Sequence, residues 1–369
     1  MGDHPYRGLP SKQFWNATVR DAPAGDIDPV GEFELELSPN TRVATSGSCF
    51  AQHIARHLSA TGLNYYVAEE AHPLTPRQVA VAHQYGVFSA RFGNVYTARQ
   101  LLQLFRRAHS SFTPEEDVWI EADGTALDPF RPTVQPGGFA NEAEMRADRA
   151  YHLGVVRRMF RELDVLIFTL GLTECWRSRV DGAVYPVCPG VSGGVFDPAR
   201  HEFYNQTVAD VHADMSMFLE GLRTVNPSAK VVLTVSPVPL AATATAGGNV
   251  VSSTVYSKSV LRVAAEMLRV ENPQVQYFPS FEIITGPGAR GAYYADDLRN
   301  PTEAGVRHVM KIFMNHVTLK SETPRPAPEP VPVEKAAAVA APAVAAAADY
   351  ASASQWVEAL CDEQMLDQT

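Results

Sequence analysis

Two kinds of apolar pattern alternate along the middle of the chain. Short runs at residues 42–46 (RVATS), 63–68 (LNYYVA), 165–170 (VLIFTL), 230–235 (KVVLTV) and 275–278 (VQYF) have the length and β-branched content of strands. The run at 165–170 is almost wholly apolar, as a central strand of a parallel sheet is. Between these runs the spacing changes to that of a helix. Phe50, Ile54 and Leu58 recur every fourth residue, and residues 97–108 (TARQLLQLFRRA) form an amphipathic stretch with Thr97 as cap and arginines in the last turn. Further helices are predicted over 75–82, 142–163, 207–224, 257–269 and 301–316. Strands separated by helices predict an α/β fold, a three-layer α/β/α domain with a mainly parallel, flavodoxin-like sheet and no internal repeat.

Elsewhere the pattern breaks. Residues 1–40 carry Pro, Gly and Asp with isolated aromatics at Tyr6, Phe14 and Trp15, and read as an extended arm lying on the domain. Residues 119–139 contain Asp123-Gly124, Asp128-Pro129, Arg131-Pro132 and Pro136-Gly137-Gly138, turn formers that predict an irregular insertion. Asp181-Gly182 predicts a hairpin within 177–187. Beyond Lys320 the composition shifts to Pro, Ala and Glu, the signature of a semi-stiff tether. The chain thus divides into an N-terminal arm (1–40), a domain (41–318), a Pro/Ala-rich, disordered linker (319–349) and a C-terminal segment (350–369). In that last segment Ser354 caps a run in which Trp356, Leu360 and Met365 share a helical face, a shape that docks into a groove of a partner protein.

Charge and composition narrow the function classes. The 31 basic residues against 41 acidic ones, with no basic run, argue against a nucleic-acid or anionic-membrane partner. Four cysteines at 49, 175, 188 and 361 are too scattered for a disulfide framework, so reduced thiols and a cytoplasmic location are expected. There is no signal-like start and no apolar run long enough to span a bilayer.

The chemistry concentrates at residues 41–58 (TRVATSGSCFAQHIARHL), where the first strand ends at Gly47 and a helix begins at once. Cys49 falls on that turn. The first N–H groups of a helix lack intrahelical partners, and together with the helix dipole they stabilise a thiolate or an oxyanion. A cysteine so placed is a candidate nucleophile; the plainer reading is a small buried residue at a tight turn.

The pentapeptide Gly47-Ser48-Cys49-Phe50-Ala51 spells the motif of the GSCFA family, and the blocks at 168–174 (FTLGLTE) and 294–297 (YADD) follow in the family's order. The chain therefore resembles the GSCFA family, and through it the SGNH (GDSL-type) esterases, over roughly residues 40–317. That resemblance implies an SGNH-like sheet, with Cys49 in the nucleophile's place and Ser48 beside it. It implies an oxyanion or substrate site from Gly93 and Asn94 together with Gly171, Thr173 and Glu174. In its last block the superfamily has Asp-x-x-His, the histidine serving as general base. Here the block reads Asp297-Leu298-Arg299-Asn300, so Asp297 is present and Asn300 stands where the base belongs. Asn300 has an alternative role at a helix start before Pro301 and Glu303. His308 falls opposite its helix's apolar face. His53, one turn after Cys49, is the better substitute, as base or thiolate partner.

No Cys-x-x-Cys or His-x-x-x-His ligand pair, phosphate loop or dinucleotide fingerprint is present, so no metal and no cofactor is expected. An acyl donor such as coenzyme A remains a candidate co-substrate. The primary expectation is an acyl-ester hydrolase or acyltransferase with a small-molecule or glycan acyl substrate. The alternative is a catalytically degenerate domain that binds a glycan or other ligand, recruited through its C-terminal segment.

Overall fold

The computed structural model describes residues 4–321. In chain order its strands are β1 (Leu35–Leu37), β2 (Val43–Gly47), β3 (Trp119–Ile120), β4 (Ala126–Leu127), β5 (Val165–Leu170), β6 (Glu174–Ser178), β7 (Val184–Tyr185), β8 (His201–Asn205), β9 (Lys230–Val235), β10 (Val275–Tyr277) and β11 (Val317–Leu319). The helices are α1 (Cys49–Ala60), α2 (Arg77–Ala82), α3 (Ala98–Ala108), α4 (Glu142–Glu162), α5 (Val208–Val225), α6 (Val250–Glu271), α7 (Ser280–Thr285) and α8 (Glu303–His316).

Strands β2, β5, β9 and β10 lie side by side in that order, all parallel. Alternation along them sorts the core into two apolar layers. Val43, Val165, Ile167 and Val232 face α1 and α8, meeting Phe50, Ile54, Val309 and Phe313. Ala44, Leu166, Phe168, Leu170 and Leu233 face the opposite way, against Leu101, Phe105, Met159, Phe218 and Leu261 of α3 to α6. The expected three-layer α/β/α arrangement is what the fold shows.

Several boundaries differ from the sequence reading. Residues 63–68 form no strand. Val43 N–H donates to Asn64 O and Tyr66 N–H to Val43 O, so the segment runs beside β2 and only bridges to it at Tyr65. The N-terminal segment is more than a surface arm. It holds short helical turns over 11–26, and β1 pairs in parallel with β11, placing Leu35 and Leu37 in the α1/α8 core. Neither strand is legible as one, because each has only three residues. Helix α6 starts seven residues earlier than expected, capped by Asn249. Its first turns (VVSST) are rich in β-branched residues and serine, poor helix formers that tertiary packing overrides. Helix α8 begins at Glu303 with Thr302 accepting from Gly305 N–H, so Asn300 is not its cap.

The turn-rich insertion holds one small hairpin, β3 with β4. The hairpin at Asp181-Gly182 is present as β6 with β7, and β8 extends it to three antiparallel strands. The predicted linker and C-terminal helix lie outside the described residues, apart from the first residues after β11.

Candidate active site at the Gly47 turn

Gly47 ends β2 with φ of +140°, and a Cβ there would collide with Thr169 O and stand 2.8 Å from Thr169 N. Only glycine fits that turn. It swings the chain directly into α1, whose first residue is Cys49, with Ser48 at the cap position. The Ser48 hydroxyl makes no capping bond to the helix and is buried without a hydrogen-bond partner among the described residues. One backbone bond, Ala51 N–H to Ser48 O at 2.8 Å, closes the first turn.

Two further segments pack against this turn. Val95 N–H donates to Gly47 O at 2.9 Å, and Gln52 Nε2 donates to Asn94 Oδ1 at 3.4 Å, so residues 93–95 lie along the start of α1. Gly171 approaches from β5: a Cβ there would lie 2.9 Å from Ser48 Cβ and 3.0 Å from Tyr96 O. Tyr96 O accepts from both Gly171 N–H and Leu172 N–H, at 2.9 and 3.0 Å. Ser48, Asn94 and Gly171 are thus brought together at the carboxyl ends of the strands, the usual ligand side of a parallel sheet. Gly93, at φ of +69°, shapes the loop leading to α3.

The other predicted residues are differently placed. Thr173 is tied into the scaffold by both its donors, N–H to Ser257 Oγ at 3.0 Å and hydroxyl to Asn205 Oδ1 at 2.7 Å. Glu174 accepts from the Thr243 and Thr245 hydroxyls at 2.7 and 3.1 Å, holding the loop after β9. Asp297 is occupied locally: it accepts from the N–H groups of Arg299 and Asn300 and, at 2.6 Å, from the Asn300 amide. Burial alone would raise its pKa, but those bonds pull it below the usual carboxylate range. Tyr294 anchors the same loop to the sheet end by donating to Pro237 O at 2.7 Å.

His53 is half-buried, and its Nδ1 lies 2.9 Å from an Arg56 guanidinium nitrogen. Arginine can only donate, so Nδ1 accepts and Nε2 carries the ring proton. Burial, followed by the Arg56 charge, pushes His53 down to about 3, so it is neutral near pH 7 with its lone pair engaged. His308 is not simply solvated: its Nδ1 pairs with the Tyr293 hydroxyl at 2.7 Å.

Cys49 itself is only 3% exposed and sits among Phe50, Ile54 and other residues of the α1/α8 core. Cys175 and Cys188 are free thiols. Burial pushes the Cys175 thiol up to about 12 and the Cys188 thiol to about 11, which keeps both protonated and unreactive. A thiol at a helix N-terminus is the one chemistry favours for disulfide exchange.

Sequence reasoning missed Lys258. It is 2% exposed on α6, and its Nζ donates to Gly171 O at 2.7 Å, while neighbouring Ser257 holds Thr173. Its signal was present: Lys258 precedes Leu261 by three and Ala265 by seven, a lysine on an apolar stripe. Among the described residues no three His, Cys, Asp or Glu side chains converge as a metal-ligand set, and no helix is long and apolar enough to cross a membrane.

The sequence model of the GSCFA family matches residues 42–313, from the start of β2 into α8. The chain belongs to the GSCFA family. No curated protein sequence matches it. The GSCFA match takes in the Gly47 turn, the Asn94 segment, the Gly171 turn and the Asp297 loop, and leaves out the N-terminal segment that supplies β1.

Proposed function

We propose that this GSCFA protein is an acyl-ester hydrolase or acyltransferase acting on an acylated small molecule or carbohydrate, with the reduced Cys49 sulfur as nucleophile. The observation that carries the reading is the turn itself: a glycine-only strand end places Cys49 at the first position of α1, in a helix that the Ser48 hydroxyl does not cap. The α1 amides and the helix dipole then favour the thiolate and the oxyanion that its attack on an ester carbonyl creates. The segments of Asn94 and Gly171 border the same turn and are the candidate substrate-orienting elements. Buried hydroxyls of Ser48, Thr169 and Thr234, without hydrogen-bond partners among the described residues, add polar groups near the strand ends that a polar ligand or water would satisfy. A cytoplasmic location belongs to the same proposal.

Turnover of short acyl esters under reducing conditions tests it. Cys49→Ala is expected to lower kcat/KM by about 10³-fold or more, as loss of a nucleophile does. Equal rates for the two proteins remove the cysteine from the mechanism.

A second reading has observations of its own. Asn300 satisfies Asp297, the His53 lone pair is taken by Arg56, and Cys49 is buried. A degenerate hydrolase that binds an acylated glycan fits that geometry. Ligand binding retained in Cys49→Ala, with no turnover by the native chain, favours it.

A further inference from the structure

Helix α6 presents a lysine to the candidate site, and its surroundings give that lysine a task. Lys258 is buried on the apolar stripe that carries Leu261 and Ala265. Moving an ammonium out of water is costly unless strong acceptors meet it, and a methionine or leucine would fill the same space without that cost. Here Nζ donates to Gly171 O at 2.7 Å. We infer that Lys258 is the positioning residue of the Gly47 site, holding the Gly171 turn and the 94–97 segment against Ser48.

The bonds run on from that carbonyl. The peptide unit that carries Gly171 O also carries Leu172 N–H, which donates to Tyr96 O at 3.0 Å. Tyr96 O shares its peptide unit with Thr97 N–H, which donates to Gln100 Oε1 at 3.0 Å. A chain of donors and acceptors therefore leads from the ammonium through two peptide units to the capping box of α3. Bonds in such a chain polarise one another, and a charged donor at its head strengthens them. One residue before Tyr96, Val95 N–H donates to Gly47 O at 2.9 Å, which ties the chain to the turn itself. A Cβ on Gly171 would stand 2.9 Å from Ser48 Cβ, so a shift of the Gly171 turn is felt directly at the start of α1.

Neighbouring groups on α6 keep the lysine aimed. Ser257 Oγ accepts from Thr173 N–H at 3.0 Å, and Thr254 Oγ1 accepts from Leu240 N–H at 3.2 Å. Leu240, Leu172 and Tyr96 form a small apolar cluster with Val250 of α6 packed against it. One helix thus fixes both the turn after β5 and the loop after β9, and Lys258 supplies a charge to that contact.

The kinetic consequence rests on the acyl-transfer reading; the clamp itself does not. The test compares the full native chain with Lys258→Met by amide hydrogen exchange and by ester turnover under reducing conditions. Exchange in peptides covering 94–97 and 171–173 should quicken about tenfold or more, with β9 and α4 within about twofold of native. The kcat should fall about 10- to 100-fold with KM within about threefold, because a displaced orienting element costs up to about 10²-fold in rate. Lys258→Arg, which keeps a charged donor, should recover most of both. If Lys258→Met does not fold, Lys258→Gln, a smaller disturbance, should quicken exchange in the same two segments. Native exchange rates in those segments, or equal quickening across the whole domain, overturns the inference, and so does an unchanged kcat in a variant whose segments loosen. Quickened exchange with no turnover by the native chain supports the clamp and sinks the acyl-transfer reading instead.

Discussion

Gly47 carries more of this protein than its size indicates. Its φ of +140° and the closeness of Thr169, whose backbone oxygen a Cβ would strike, leave no room for even a methyl group. Gly47→Ala should therefore destabilise the fold by about 2 kcal/mol or more, read as a fall in Tm, and should displace Cys49 from the start of α1. Ser48 was legible from the motif, and so was the placing of Cys49 on the turn. The state of His53 was not. Helical spacing correctly put it one turn from Cys49, but whether its lone pair is open depends on the Arg56 rotamer, which packing decides. Burial and the nearby guanidinium depress its pKa to about 3, so between that value and the unfolded value near 6.5 the unfolded chain binds the extra proton. Stability contributed by neutral His53 is present above about pH 6.5 and declines as pH falls below it. The Tm of His53→Gln should fall less steeply than the native Tm from about pH 7 to about pH 4.

At the scale of elements, helix α3 links the site to the core. Thr97 and Gln100 form a capping box, with Thr97 accepting from Gln100 N–H, while Gln100 Oε1 accepts from the N–H groups of Tyr96 and Thr97. Tyr96 O in turn holds the Gly171 turn. Thr97→Ala should cost about 1 kcal/mol of stability, measured by urea denaturation, and should impair ligand binding at the Gly47 turn as well. An intact site in that variant would break the link. The cap was readable from the sequence, because a threonine before an amphipathic run has few other uses. Strands β1 and β11 were not, since three residues carry no periodicity and their pairing joins segments far apart in the chain.

Across the whole molecule, the turn-rich insertion is held by charges rather than by a large apolar core. The Asp128 carboxylate, fully buried, accepts from Arg131 Nε at 2.8 Å and Arg149 Nε at 3.0 Å, and Asp148 joins Arg131 to Arg91. Burial alone would raise the Asp128 pKa, but Arg131 and Arg149 overrule it and hold the carboxyl well below the usual range. Asp128→Asn leaves two buried guanidinium groups short of a charge and should destabilise by about 3–5 kcal/mol at neutral pH. The gap between native and variant should be full above the unfolded carboxyl value of about 4 and narrow as pH falls below it, which chemical denaturation at several pH values checks. The sequence by itself determined the layered α/β fold and the cysteine on its turn, because apolar periodicity and a five-residue motif are local properties. Tertiary structure alone decided how the surrounding groups are engaged: Lys258 gripping Gly171, Asn300 occupying Asp297, and Arg56 taking the His53 lone pair. Those are contacts between residues far apart in the chain, or choices among rotamers, and only packing selects them.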